Sequence, residues 1–324
     1  MKKAVLISVL TLTLGWWIGT AQVLAADAAM VVDLSGQAKF EGGAKAGQEV
    51  NLMDFLAEGD KLVLAGGAKL ILNYFATGQR ESVSGPGGVT IGASASKAGA
   101  GVKIETSAAA APPPQSVIDA GAHHAGTVAL RGVKPPPGAK QPPAKGVLAI
   151  RRDRFLAECV GPNKMAPLGL YLTASASTKP FFAWQAVAGA QAYSFKLMDS
   201  QGKKVFESVV DKNSLAYNGP ELTPGDRYRW TAAALTGRKE IANGGGEFWV
   251  LPAAKLNSRA QEEEKIKKEY GLNSTEGQIG LAMLYQKYEM YDDAAAVMRA
   301  LLQKHPQNKQ MAMQLSLLDP SVRK

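Results

Sequence analysis

Between residues 31 and 106, apolar and polar positions alternate in short bursts punctuated by glycine. Leu62 and Leu64 alternate with Lys61 and Val63, and Leu70, Leu72 and Tyr74 alternate with Lys69, Ile71 and Asn73. A period of two turns successive side chains to opposite faces, so these bursts predict half-buried strands. Gly66-Gly67 separates two of them at hairpin spacing. Gly85-Pro86-Gly87-Gly88 marks a further turn, because proline fixes one backbone angle and glycine supplies positive φ.

A second alternating stretch runs over residues 178–252. Phe182 and Trp184 open it, Tyr193, Phe195 and Leu197 continue it, and Tyr228, Trp230 and Ala232 share one face later on. Turns are expected at residues 199–202 and 222–226, where Asp, Gly and Pro collect. The spacing suits a seven-stranded sandwich with Trp184 and Trp230 pointing inward.

The period then changes. Residues 262–270 predict a charged helix with Glu263–Lys267 and Glu264–Lys268 pairs one turn apart. Thr275 with Gln278 reads as a capping box opening the next helix, along which Leu281, Leu284, Tyr285 and Tyr288 recur at helical spacing. A following helix starts at Asp292 with Ala294, Val297, Met298, Leu301 and Leu302 on one face, and Pro306 stops it. Residues 308–318 carry Met311, Ala312, Leu315 and Leu318 and predict one more partly amphipathic helix.

Three stretches carry family resemblances. Val32-Asp33-Leu34-Ser35-Gly36, Leu56-Ala57-Glu58-Gly59-Asp60-Lys61-Leu62, Lys69-Leu70-Ile71-Leu72 and Gly85-Pro86-Gly87 together resemble the β-rich sensor domain of the FecR type. In that family the domain belongs to a membrane-spanning regulator that controls a sigma factor, so the resemblance implies a β fold and a possible place in envelope sensing. Phe182-Ala183-Trp184, Gly189-Ala190-Gln191-Ala192-Tyr193, Leu222-Thr223-Pro224-Gly225 and Tyr228-Arg229-Trp230 resemble a fibronectin type III-like module, a kind of domain used as spacer or adhesive platform. Residues 275–308 have the 34-residue length of a tetratricopeptide repeat, with Leu281, Ala282, Tyr285, Ala294 and Pro306 at matching places. Gln278 and Leu301 depart from that pattern. One such repeat cannot bury its own apolar face, so the helices on either side are expected to pack as partial neighbours.

The fold class expected is therefore multi-domain, with two all-β domains followed by an all-α segment. Its boundaries are a signal peptide at 1–26, a FecR-like β domain at 27–106, a Pro/Ala-rich linker with room for extra strands at 107–177, a fibronectin-like sandwich at 178–252 and a helical region at 255–324. The leader rests on Lys2 and Lys3, an uncharged apolar run over residues 4–18 and small residues before Asp27, which predict cleavage after Ala25 or Ala26. The alternative is an uncleaved anchor, since residues 4–26 are long enough to span a bilayer. Either way the body of the protein is expected in the periplasm. Polyproline runs at 112–114, 135–137 and 142–143 read as a semi-rigid spacer, and residues 126–132 as one strand within it.

Charge and composition narrow the function. Cys159 is the single cysteine, which excludes an internal disulfide and a thiolate metal cluster. The formal charge of +9 is modest and densest over residues 131–154, which suits weak contact with anionic wall polymer or headgroups, or simply a solvated linker, better than nucleic acid. Of three histidines, His123 and His124 fall in the spacer and His305 sits at a helix end, where a cation is favourable. The glycines at 42–47 are followed by no Lys-Ser or Lys-Thr, which excludes a phosphate loop. Asp292-Asp293 and Glu262-Glu263-Glu264 lack the spacing of a calcium loop and read as helix ends and solvated faces.

No cofactor, metal or catalytic group is expected. The function expected is non-catalytic binding or scaffolding in the bacterial envelope, with an envelope or membrane protein as partner and the oligomeric state left open; the alternative is a periplasmic sensor that signals to a membrane regulator. Tyr285, Tyr288 and Tyr291 are the candidate protein-binding residues, beside a groove in the helical region.

Overall fold

The computed structural model describes residues 27–107 and 163–319. The predicted leader, Cys159, His123, His124, the polyproline runs and the strand expected at 126–132 lie outside them. Described residues form sixteen strands, one short 3-10 turn at Gly43–Lys45 and four α-helices, with the α-helices last in the described chain.

The first β unit carries two antiparallel sheets around one core. One has the order β3-β1-β5-β6-β9, built from β1 (Asp27–Ser35), β3 (Phe55–Ala57), β5 (Lys69–Tyr74), β6 (Arg80–Ser84) and β9 (Lys103–Ser107). The other has the order β2-β4-β7-β8, from β2 (Ala38–Phe40), β4 (Lys61–Leu64), β7 (Gly87–Ile91) and β8 (Ser96–Ala98). Leu62 and Leu64 face the core as the alternation predicts.

The turns between these strands do a different job from the one predicted. Gly66-Gly67 does not close a hairpin: β4 and β5 belong to different sheets, so the chain crosses from one layer to the other there. The Gly85–Gly88 segment does the same between β6 and β7. The two crossings lie side by side, with the Gly85 N–H donating to the Ala68 carbonyl at 2.9 Å. A side chain at position 85 would press on the Ala65 carbonyl and Leu64 Cβ at 2.7 Å, so the close approach requires glycine.

The second β unit contains seven strands. A five-stranded sheet of order β10-β16-β15-β12-β13 is formed by β10 (Thr173–Ser175), β12 (Ala192–Asp199), β13 (Lys204–Val210), β15 (Arg227–Thr236) and β16 (Lys239–Val250). A two-stranded layer of β11 (Phe181–Ala183) and β14 (Ser214–Ala216) covers it. Trp184, Trp230, Phe182, Phe195 and Phe248 are fully buried between the layers, with ring centroids 4.8–6.0 Å apart in the pairs Phe182–Phe195, Phe182–Trp230 and Trp184–Trp230.

This unit starts earlier than residue 178. Met165 is buried in its core, the Trp230 indole N–H donates to the Leu170 carbonyl at 2.8 Å, and β10 adds a parallel edge to β16. Residues 163–177, placed with the linker by composition, are therefore part of the sandwich. The sequence feature that admits them is Gly244-Gly245-Gly246 in β16, where any Cβ would fall on the carbonyl oxygens of Met165, Trp230 and Leu170 in turn.

The helices are α1 (Ala253–Tyr270), α2 (Thr275–Lys287), α3 (Tyr291–Lys304) and α4 (Lys309–Leu318). The first is twice the length the charge pattern suggested, and Glu263 pairs with Arg259 rather than with Lys267, which pairs instead with Glu264. The cap of α2 stands one residue before the expected place: Ser274, in an extended conformation, accepts from the Gly277 N–H at 2.9 Å, while the Gln278 amide oxygen accepts from Lys304. No described helix is long and apolar enough to cross a membrane.

Candidate functional site

The helices do not stand apart as an open repeat. Ile279, Ala282 and Met283 of α2, Ala294, Ala295, Met298 and Leu301 of α3, and Met311, Leu315 and Leu318 of α4 share one continuous core with β1 and β5 of the first unit. On the other side, Leu281, Leu284, Tyr288 and Met290 pack with Ala174 and Leu251 of the second unit. The apolar faces that a lone repeat leaves bare are thus covered by β structure on both flanks, because burying each leucine or methionine contributes about 1.5–3 kcal/mol.

Polar contacts fix both seams. Toward the first unit, the Arg80 guanidinium donates two hydrogen bonds to the Glu276 carboxylate at 2.7 and 2.8 Å and lies 5.8 Å from the Tyr270 ring. Asn308, itself buried, accepts from the Met311 N–H as the cap of α4 and donates its amide to the Leu52 carbonyl at 2.9 Å. Toward the second unit, the Asp292 carboxylate accepts from the Leu170 N–H at 2.6 Å, and the Thr173 hydroxyl accepts from the Tyr291 N–H at 2.9 Å.

The three tyrosines occupy these seams. Tyr288 is only 7% exposed, and its hydroxyl donates to Glu262 at 2.9 Å; burial first, and that bond second, push its ionisation up to about 12. Tyr285 is half-buried between the two cores, with its hydroxyl raised by burial, and Tyr291 packs partly against the first core. Tyr285 and Tyr288 pack with Ala174 and Leu251 of the second unit, Tyr288 also ties α2 to Glu262 of α1, and Tyr291 packs against the first core, so the three do not line one open groove. His305 caps the C-terminal end of α3, its N–H donating to the Leu301 carbonyl. Among the described residues no three His, Cys, Asp or Glu side chains gather as a metal site would require.

An open cleft of about 910 Å³ lies where the first unit meets α4. One wall is Asp27, Phe40, Lys45, Gln48, Glu49, Asn51, Asp54 and Phe55; the other is Gln307, Lys309, Gln310 and Met313. Lys45 is held in place within it, its ammonium 3.2 Å from the Phe55 carbonyl, 3.7 Å from Asp60 and 4.8 Å from the Phe40 ring centre. Burial raises the Asp54 carboxyl, which the Asn51 N–H partly offsets by donating at 2.7 Å. Burial also raises Asp27, with Lys45 pulling the other way. A floor of aromatic rings with amides and both signs of charge around it can hold an extended polar chain through several weak contacts at once.

None of these cleft residues was singled out in the sequence. They come from β1, β2, β3, the connection between β2 and β3, and the last helix with the turn before it, and local spacing carries no signal that joins them. Arg80 and Glu276 stand 196 positions apart and were equally hidden.

No family model matches the chain, and no curated protein does. Among solved structures, it is similar to the fn3 domain of human collagen alpha-1(XX) chain at 19% identity and a TM-score of 0.24, over 29% of this chain and 92% of that one. It is also similar to CopC from Methylosinus trichosporium OB3b at 22% identity and a TM-score of 0.22, over 28% of this chain and 95% of that one.

Proposed function

We propose that this is an exported, non-catalytic binding or scaffold protein of the bacterial envelope, whose partner is an envelope or membrane protein engaged in the cleft between the first β unit and α4. The observation that carries the proposal is the cleft itself: about 910 Å³, walled by glutamines, Asn51, two lysines and desolvated carboxylates over Phe40 and Phe55. Such a lining offers many donors and acceptors to a peptide backbone and no assembled nucleophile and base to cleave it. The site replaces the tyrosine groove as the binding surface, since those tyrosines serve the seams. Within this proposal the first unit is FecR-like, the second fibronectin type III-like and the helices a single tetratricopeptide-like repeat with two flanking helices; the quoted turn and strand motifs support the first two and the 34-residue spacing supports the third.

The alternative role, a sensor reporting to a membrane regulator, has one observation in its favour. The first unit and the helices share a core, so occupancy of the cleft would be felt on both of its walls. A photo-crosslinking residue placed at Gln48 or Gln310 in intact cells, followed by mass spectrometry, tests the binding role. Both positions should capture the same envelope protein, and the exposed turn position Gln201 should not. Identical captures from all three positions, or cytosolic proteins alone, would overturn it; capture of a transmembrane regulator would select the sensing role.

A further inference from the structure

The outward face of the small layer in the second unit brings two of the large exposed apolar side chains together. The backbone of residues 164–168 runs antiparallel to β11, with Pro167 opposite Trp184 and the Leu168 N–H donating to the Ala183 carbonyl at 3.0 Å, and β11 in turn pairs Phe181 with Ala216. Three short extended segments therefore lie side by side. Met165, Pro167, Phe182, Trp184 and Leu215 point into the core, so their neighbours point outward by the two-residue period.

At the centre of the outward face stand Leu168, 64% exposed, and Phe181, 61% exposed, with Ala183 and Ala216 beside them. Lys179 flanks this centre at one end, and Lys164 and Lys212 at the other; all three are exposed, and none has a carboxylate partner among the described residues. No Asp or Glu lies on the three segments themselves; the exposed Asp211 and Glu221 stand beyond their ends, next to Lys212 and beside the Thr178 turn. Two large apolar side chains held this far out into water are costly unless something covers them.

We propose that this face docks on an anionic phospholipid surface, with Leu168 and Phe181 entering the headgroup boundary and Lys164, Lys179 and Lys212 meeting the phosphates. Charge decides between this occupant and an acidic protein. All three cations are lysines, the residue depleted from protein interfaces, and lysine stems can lie along apolar surface while the ammonium reaches outward to a headgroup. The formal charge, +9 for the whole sequence and +7 once Lys2 and Lys3 leave with the leader, adds a long-range attraction of the same sign. The proposal does not depend on the cleft or on its partner.

Sedimentation of the mature chain, beginning at Asp27 and so without the apolar leader, with vesicles tests it. Binding is expected to an equal mixture of phosphatidylcholine and phosphatidylglycerol and not to phosphatidylcholine alone. Lys179→Gln and Lys212→Gln should each weaken it roughly fivefold, the effect of removing one surface cation, whereas Lys239→Gln at the far hairpin should not. Leu168→Ser with Phe181→Ser should abolish binding while leaving the unfolding transition in place, and a Phe181→Trp variant should shift its added emission to the blue on the mixed vesicles. Equal binding of the double serine variant, absence of any binding, or binding to polyglutamate but not to vesicles would each overturn the proposal, the last in favour of an acidic protein partner.

Discussion

At the scale of single residues, the two core tryptophans separate the value of packing from the value of a hydrogen bond. Both are fully buried in the same aromatic cluster, so Trp→Phe removes a similar volume at either place. The Trp230 indole N–H donates to the Leu170 carbonyl, whereas the Trp184 Nε1 has no partner among the described residues. Losing a net hydrogen bond and stranding its acceptor costs about 1 kcal/mol or more. Urea denaturation should therefore find Trp230→Phe less stable than Trp184→Phe by about 1 kcal/mol, and equal losses would mean that the indole bond contributes nothing beyond packing. Inward placement of both rings was legible in the sequence because each lies in an alternating run. Which of them has an acceptor was not, because Leu170 approaches from a segment whose composition resembles a linker.

At the scale of elements, alternation and helical periodicity place strands and helices well, and fail where an element serves two neighbours. The run Ala28 to Val32 in β1 is buried on both faces, one against the facing sheet and one against the helices. A strand with no polar face is the mark of double coverage, and it was the one local sign that something would pack on the outside of this sheet. Sheet membership was less accessible: Gly66-Gly67 has hairpin spacing, yet the choice between a hairpin and a crossing depends on which strands the alternation must face across the core. The start of α2 gives a direct test of local geometry. Ser274 is the residue whose hydroxyl accepts from the Gly277 N–H, and loss of such a cap costs about 0.5–2 kcal/mol. Ser274→Ala should lower the denaturation midpoint accordingly and Thr275→Ala should leave it nearly unchanged; the reverse order would restore Thr275 as the cap.

At the scale of the whole molecule, the cleft and the seams arise only when segments more than a hundred residues apart meet, which is why no local pattern announced them. The cleft carboxyls give the protein a pH signature. Asp27 and Asp54 are both raised from the ordinary aspartate value by burial, so ionisation is opposed in the fold and free in the unfolded chain. Their protonated forms favour folding, and that contribution is lost as pH rises from the ordinary carboxylate value through the raised one. Asp54→Asn keeps an oxygen to accept from Asn51 and removes the charge. It should raise the melting temperature more at pH 7 than at pH 4, and an equal or opposite change would show that Asp54 is not desolvated.

The seam between the first unit and the helices leads to the last expectation. A core shared by β1, β5 and three helices leaves neither part a complete interior of its own, so the two should unfold together despite being distant in sequence. Arg80 and Glu276 clasp that seam with two charge-assisted bonds, and their side chains are 24% and 10% exposed. Hydrogen bonds between charged groups contribute about 1.5–3 kcal/mol when solvent is largely excluded. Glu276→Gln and Arg80→Met should each destabilise the first unit and the helices together, while the double variant should cost less than the sum of the two because neither charge is left stranded. Hydrogen exchange read segment by segment is the decisive measurement. Protection should fall in parallel in β1, β5 and α2–α4, with the β15–β16 ladder of the second unit unaffected; loss confined to the helices would mean that the β sheets hold their own core without them.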